Sequence, residues 1–409
     1  MTEIRPFSGL RYRVEDAVLS DVLAPPYDVI TETDRAALRA RHGHNVVRLV
    51  LAETSDDASY ARAGDLLREW QAQGVIVADA APALYVLEQR FEVRGGTSRR
   101  YGLLARFRAE DYDKRVVLPH EQTRKAPRED RIRLLRASRA NYSPIFVMVR
   151  DAEKRFEQHI EAIAQTTPTS AYTDDAGVEH RLWAVTDEKE IGTLTRLLDS
   201  AGAYIADGHH RYATALRHRD ETSADGAWTL GYFTPVQAAG LVVLPYHRIL
   251  SAGPPLDDAT KALSEAFDVR SVASVAEAAH AAEHSRAPYA FGLAQPGAGA
   301  LVAESRDQLS AYIDAATPPS LRALDPWVFH HVVLETLLGI NDDAVGYVHS
   351  LREAEEAVSG GHCRLAGLLR STPVQQVLDV ADAGESMPAK STFFHPKLPS
   401  GLVIHPLLV

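Results

Sequence analysis

The run Asp207-Gly208-His209-His210-Arg211 follows four apolar residues, Ala203–Ala206, and leads directly into the helix-like stretch YATALRHR. A helix N-terminus offers backbone N–H groups without intrahelical partners and a partial positive charge, which suits phosphate. Gly208 lets the backbone come close to a ligand. His209 and His210 add side-chain donors, and Arg211 can grip a phosphate through two parallel N–H bonds. Asp207 is placed to bind Mg²⁺ or to accept a proton. The same five residues also read as a capped turn with solvated histidines and a solvated Arg211 that adds little stability. A polar run this dense, directly after a buried strand, has no packing purpose. Structural zinc is not expected here. Adjacent histidines on an α-helix point about 100° apart, no His-Glu-x-x-His pattern occurs, and the single cysteine, Cys363, excludes a thiolate cluster.

Three further groups carry chemistry-bearing residues. His120-Glu121 precedes a basic stretch in which Arg124 to Arg139 contains seven cations, Lys125 and Arg128 among them, against Glu129 and Asp130. Such an excess suits a lid over a polyanion such as a nucleotide triphosphate. Ile132, Leu134 and Leu135 supply an apolar face, so the later arginines also read as a solvated amphipathic helix. In APPYDVI two prolines stiffen the approach and aim Tyr27 and Asp28, although Asp28 also reads as the cap of a helix starting near Thr31. Lys390-Ser391-Thr392 and Lys397 place cations in a polar C-terminal segment, which also reads as an exposed loop. Tyr246-His247-Arg248 reads as an ordinary strand end. The chain has no GxxxxGK[ST] loop, no helix-opening GxGxxG, no GxSxG elbow and no kinase HRD set, so the common nucleotide folds are excluded.

Apolar periodicity supplies the elements that must position these residues. It predicts helices over 57–74, 152–165, 187–200, 327–338 and 372–381, with two Ala-rich helices in LDDATKALSEAF and VASVAEAAHAAEHS. Strands are predicted on either side of a turn at Gly95-Gly96, and over 143–149, 203–206 and 362–370. Further strands are PYAFGLAQ and GLVVLPYHRIL, the latter ending at Pro245. The segments 118–144 and 385–403 break the rhythm and read as ordered functional loops. Helices and strands alternate, which makes the class α/β or mixed α+β. Residues 1–253 read as a core carrying the basic segment, 254–325 as an α/β insert, and 326–409 as a C-terminal region returning to the site.

The 409 residues are 45% hydrophobic and 24% charged, the balance of a globular chain with a sizeable core. Forty-four Lys and Arg against 55 Asp and Glu give a net charge of −11, which disfavours a nucleic-acid partner. One cysteine, a charged N-terminus and no apolar run of about 20 residues lead to the expectation of a cytoplasmic protein without a membrane partner.

RPF, APPYDVI, NVVRL, HEQT with PRED, SPIF, ADGHHRY, PYHR and MPAKSTFFHPKLPSGLV together resemble the domain-of-unknown-function family numbered 1015, over nearly the whole chain. DGHHR is also similar to the phosphate cradle of the ParB/sulfiredoxin-like fold, and in particular to its free-serine kinases. That resemblance implies a ParB/sulfiredoxin-like core and a kinase transferring a phosphoryl group from ATP or ADP to a hydroxyl amino acid such as L-serine. Gly208, His209, His210 and Arg211 would hold the phosphates, with Mg²⁺ bridging them to Asp207. Asp28 or Glu121 would receive the substrate proton, with His209 beside them, and Lys125, Arg128 and Lys390 would close over the polyphosphate. A nucleotide-responsive switch and a phosphatase of phosphoserine-like metabolites use the same cradle and stay open, as does a homo-oligomer.

Overall fold

The structure, a computed structural model, describes residues 2–93, 95–199, 201–222 and 227–407. The class is mixed α/β. The chain forms two compact units: residues 1–242 with 396–409, and residues 243–395.

The first unit is built on a nine-stranded sheet of β1 (Ile4–Arg5), β2 (Leu84–Val93), β3 (Gly96–Arg108), β4 (Val117–Leu118), β5 (Ile145–Val149), β6 (Ser170–Thr173), β7 (Glu179–Val185), β8 (Ala203–Asp207) and β9 (Trp228–Pro235). Their order is β4-β8-β5-β9-β3-β2-β7-β6, with β1 on β3. The β4–β8 and β5–β9 pairs are parallel and the rest antiparallel. Gly95, at φ +77°, makes the turn between β2 and β3 where the Gly-Gly pair is predicted.

Among the helices of this unit are α1 (Asp57–Ala72), α2 (Lys125–Ser138), α3 (Arg155–Ile163), α4 (Glu188–Asp199) and α5 (His209–Glu221). Phe156 and Ile160 of α3, Leu194 and Leu198 of α4, and Tyr212 and Ala215 of α5 join the buried cluster formed with the sheet. Most of the segment 118–144 is therefore not a loop. Ile132, Leu134 and Leu135 bury the apolar face of α2, and burial outweighs the polar composition that suggested irregular chain.

The second unit carries a six-stranded antiparallel sheet of β10 (His247–Leu250), β11 (Phe267–Val272), β12 (Ala290–Gln295), β13 (Gly299–Ser305), β14 (Val345–Val348) and β15 (Leu365–Leu368), in the order β11-β13-β12-β15-β10-β14. β15 pairs with both β12 and β10, so the segments 254–325 and 326–395, read separately from the sequence, share one sheet. GLVVLPYHRIL is two strands, Val242–Leu244 and β10, because Pro245 has no N–H for a continuous ladder. The predicted helix 327–338 starts as one α-turn and becomes a π-helix over Phe329–Leu337.

Candidate functional site

The site lies in the first unit, where β8 runs into α5. β8 follows β5 in regular antiparallel register up to Ile205, and a bulge then brings Asp207 opposite Phe146. A bulge of this kind redirects the side chains beyond it. Gly208 takes φ +96°, a conformation glycine adopts at no steric cost, and a Cβ there would lie 3.0 Å from the Arg211 guanidinium. The first helical amide bond of α5 runs from Tyr212 N–H to Gly208 O.

Asp207 is gripped on both carboxylate oxygens. Gly208 N–H donates to Oδ1 at 2.9 Å, and Lys397 Nζ donates to Oδ2 at 3.1 Å. Arg211 approaches the same oxygen at 3.5 Å while donating a second bond to the Pro144 carbonyl. Burial alone would raise the carboxyl pKa, but Lys397 and Arg211 outweigh it and hold the group well below the usual carboxylate range. The helix start is therefore not the solvated turn of the sequence reading: the side chains of Arg211 and Lys397 are only 12% exposed.

His209 is buried, and burial, with His120 adding to it, holds its imidazole neutral. The His120 backbone N–H donates to His209 Nε2 at 3.3 Å, so the ring proton of His209 belongs on Nδ1, 3.9 Å from Glu121 Oε2. His120 stands edge-on to His209, with ring centroids 4.5 Å apart, and donates from Nδ1 to the Ile205 carbonyl at 2.8 Å. Burial brings its pKa down to about 4.

His210 Nε2 accepts the backbone N–H of Arg124, the N-cap of α2, at 3.0 Å. The N-terminal ends of α2 and α5 thus meet at His210, and each presents positive dipole charge. Lys125 and Arg128 stand exposed on the first turns of α2. A cleft of about 480 Å³, open mouth included, is lined by Tyr27, Arg131, Tyr142, Ser143, Arg211 and Thr214, among others. The Arg131 guanidinium lies 4.0 Å over the Tyr27 ring, and burial raises the phenol to about 12 against the opposing pull of Arg131.

The structure thus brings together Asp207, Gly208, His209, His210 and Arg211 with Glu121. Asp28 is exposed on the 3₁₀ turn Tyr27–Val29, at the far end of the chain from this group in sequence and outside the set of side chains that meet there. Lys390 belongs to the second unit, where its Nζ lies 3.5 Å from the Tyr246 hydroxyl. The later arginines of the basic segment do not form a free lid. Arg131 is buried and donates to the Val50 carbonyl, Arg133 donates to the Ser55 carbonyl, and Arg136 pairs with Glu221. Sequence reasoning placed Lys397 only as a cation of the C-terminal segment and missed it as the partner of Asp207. Its one signal was the apolar, proline-rich run HPKLPSGLV around it, the mark of a docked tail.

Comparison with the curated proteins returns no match. Among solved structures, a free serine kinase mutant in complex with AMP is similar at 14% identity and a TM-score of 0.36, over 69% of this chain and 87% of that one. A conserved hypothetical protein from Pyrococcus furiosus gives 14% identity and 0.35, over 72% and 94%. SbnI with a C-terminal truncation, from Staphylococcus aureus, gives 9% identity and 0.38, over 71% and 84%. At these TM-scores the likenesses assign no role to any residue here. A family model, described as Protein of unknown function (DUF1015), matches residues 4–327, and the chain therefore belongs to that family.

Proposed function

We propose that the first unit binds the phosphates of ATP or ADP and transfers a phosphoryl group to the hydroxyl of a small amino acid, with free L-serine the leading candidate. The observation that carries this reading is the meeting of two helix starts at His210, beside Arg211 and Lys397. Backbone N–H groups, dipoles and cations there point to one ligand class, a polyanion.

Phosphoryl transfer asks mainly for positioning and for neutralisation of charge on the moving group. Arg211 and Lys397 supply the charge, and the α5 amides supply donors. The substrate oxygen attacks phosphorus, its O–H proton passes to a carboxylate, and the shortened nucleotide leaves. Glu121 suits the acceptor role because it is partly exposed and faces the Nδ1 proton of His209. Mg²⁺ usually binds phosphate oxygens and one or two carboxylates. Asp207 is the carboxylate that would hold it, and the ion would supply charge neutralisation on the phosphates.

Incubation with ATP or ADP, Mg²⁺ and a panel of hydroxyl amino acids tests the reading. Wild type releases ADP or AMP and forms a phosphorylated amino acid, whereas Asp207→Asn is at least 100-fold slower. Absence of turnover with every donor and acceptor overturns it.

A further inference from the structure

A second cluster of ligating side chains lies in the second unit, far in sequence from the phosphate cradle and independent of the nucleotide reading. His330, His331 and Glu335 present ligating atoms that all lie within 4.8 Å of one another. His331 Nδ1 is 2.8 Å from Glu335 Oε2, and His330 Nε2 is 3.5 Å from Glu335 Oε1. Asp342, from the 3₁₀ turn Asp342–Ala344, brings Oδ1 to within 2.7 Å of His330 Nε2. Two imidazoles and one carboxylate of a single helix thus converge, and Asp342 adds a second carboxylate beside His330.

The π-helix Phe329–Leu337 makes this convergence possible. On an α-helix, at 100° per residue, Glu335 would point about 140° away from His330. In a π-helix the wider i→i+5 turn brings residue 335 back between residues 330 and 331 on one face. The Thr336 hydroxyl, bonded to the His331 carbonyl five residues back, reports the same spacing. The wide turn is also fixed by packing. Phe329 lies 5.1 Å from Phe291, and Gly367 is bare where a Cβ would come within 2.3 Å of the Phe329 ring. π-Helical turns are rare and are frequently found at functional sites.

The donor chemistry is specific. A tetrahedral zinc site with bonds of about 2.0–2.2 Å needs its ligand atoms about 3.3 Å apart. Three of the spacings, 2.7, 2.8 and 3.5 Å, lie around that value, and the ligating atoms of His330, His331 and Glu335 all fall within 4.8 Å of one another. Two carboxylates balance the charge of a dication, and mixed imidazole and carboxylate donors suit first-row transition metals better than Mg²⁺ or Ca²⁺. A plain pair of His–carboxylate bridges would account for each contact singly, but not for Glu335 meeting both rings with one oxygen each while Asp342 meets the first. We propose that His330, His331, Glu335 and Asp342 form a binding site for a divalent transition-metal ion of the zinc type, which ties the end of the π-helix to the turn that follows.

Calorimetric titration of the metal-stripped full chain with Zn²⁺, together with visible absorption of the Co²⁺-substituted protein, tests this. Wild type is expected to bind one equivalent at this site with micromolar or tighter affinity, to give the d–d absorption of a nitrogen- and oxygen-ligated Co²⁺, and to melt at a higher temperature with Zn²⁺ present. Glu335→Gln and His331→Gln, both at partly exposed positions, should each weaken that binding at least tenfold. His284→Gln, which alters the separate pair of stacked histidines His280 and His284, should leave it unchanged. Failure of wild type to bind Zn²⁺, or undiminished binding in both variants with a native circular-dichroism spectrum, overturns the proposal.

Discussion

Asp207 keeps its charge only because Lys397 and Arg211 stand against it. Removing one partner of a buried pair costs about 3–5 kcal/mol, and the fifth of Asp207 that stays exposed lowers this. Lys397→Met should therefore destabilise by roughly 2–4 kcal/mol in urea unfolding at pH 7, and Asp207→Asn in the same chain should recover part of the loss. Arg211→Ala should weaken nucleotide binding about 10–150-fold by calorimetry, the worth of one charge-assisted bidentate contact. Because Arg211 also holds the Pro144 carbonyl, its removal should lower the Tm as well, where the sequence alone suggested little change. Nucleotide affinity unchanged in a folded Arg211→Ala protein would move the phosphate site elsewhere. The buried histidines set the pH response. His120 and His405 are pushed down by burial to about 4 and about 3. A buried neutral histidine contributes stability in full above its unfolded pKa near 6.5, and the contribution is lost as pH falls toward the folded value. Between pH 7 and pH 5 stability should fall by about 2 kcal/mol per such group, and His120→Gln should flatten that slope by one group's share. Asp207 acts lower: its stabilisation is present above pH 4 and disappears only as pH falls further. The DGHHR residues were legible because they are contiguous. Lys397 was not, since a contact spanning 190 positions leaves no periodic trace.

The strand–turn–helix of β8 and α5 was readable from an apolar run, a glycine and a helical pattern in immediate succession. Its turn depends on one backbone conformation. Gly208→Ala combines a φ of +96° with a Cβ against the Arg211 guanidinium. It should cost about 1–3 kcal/mol and displace Arg211, so that melting temperature and nucleotide affinity fall together. A stable Gly208→Ala protein that binds nucleotide normally would show that the turn does not organise the site. Other elements were hidden for identifiable reasons. In α2 the apolar face of Ile132, Leu134 and Leu135 was legible, but its burial and that of Arg131 were not. The bulge before Asp207 is a property of pairing between β8 and β5, and the π-helix packs Phe329 against Gly367, a residue distant in sequence. Neither resides in a local pattern.

At the scale of the molecule, sequence order and compactness disagree. The chain leaves the first unit at residue 242, builds the second, and returns at Pro396. The return is structural as well as chemical. The Pro396 carbonyl accepts a bond from the fully buried Arg100, whose guanidinium lies 4.6 Å over Phe146, and the Lys397 carbonyl accepts from Gln89. A chain ending at His395 should lose protection from hydrogen exchange in β8 and α5, while residues 243–395 keep a cooperative transition of their own. Undiminished protection of residues 203–221 would show that the returning tail is dispensable. The alternation of elements revealed the class, but a discontinuous unit could not be read from it, because no linker composition marks residues 242 or 395.

The order of synthesis gives that return a further meaning. A ribosome adds about 5–20 residues per second, so the 190 positions between Asp207 and Lys397 take about 10–40 s to appear. Throughout that interval Asp207 has only Arg211 against it and lacks Lys397, while most of 243–395 emerges and is free to fold. The phosphate cradle thus matures only when nearly the whole chain has been made, and a product stalled between Arg211 and Lys397 carries the motif without Lys397 against Asp207.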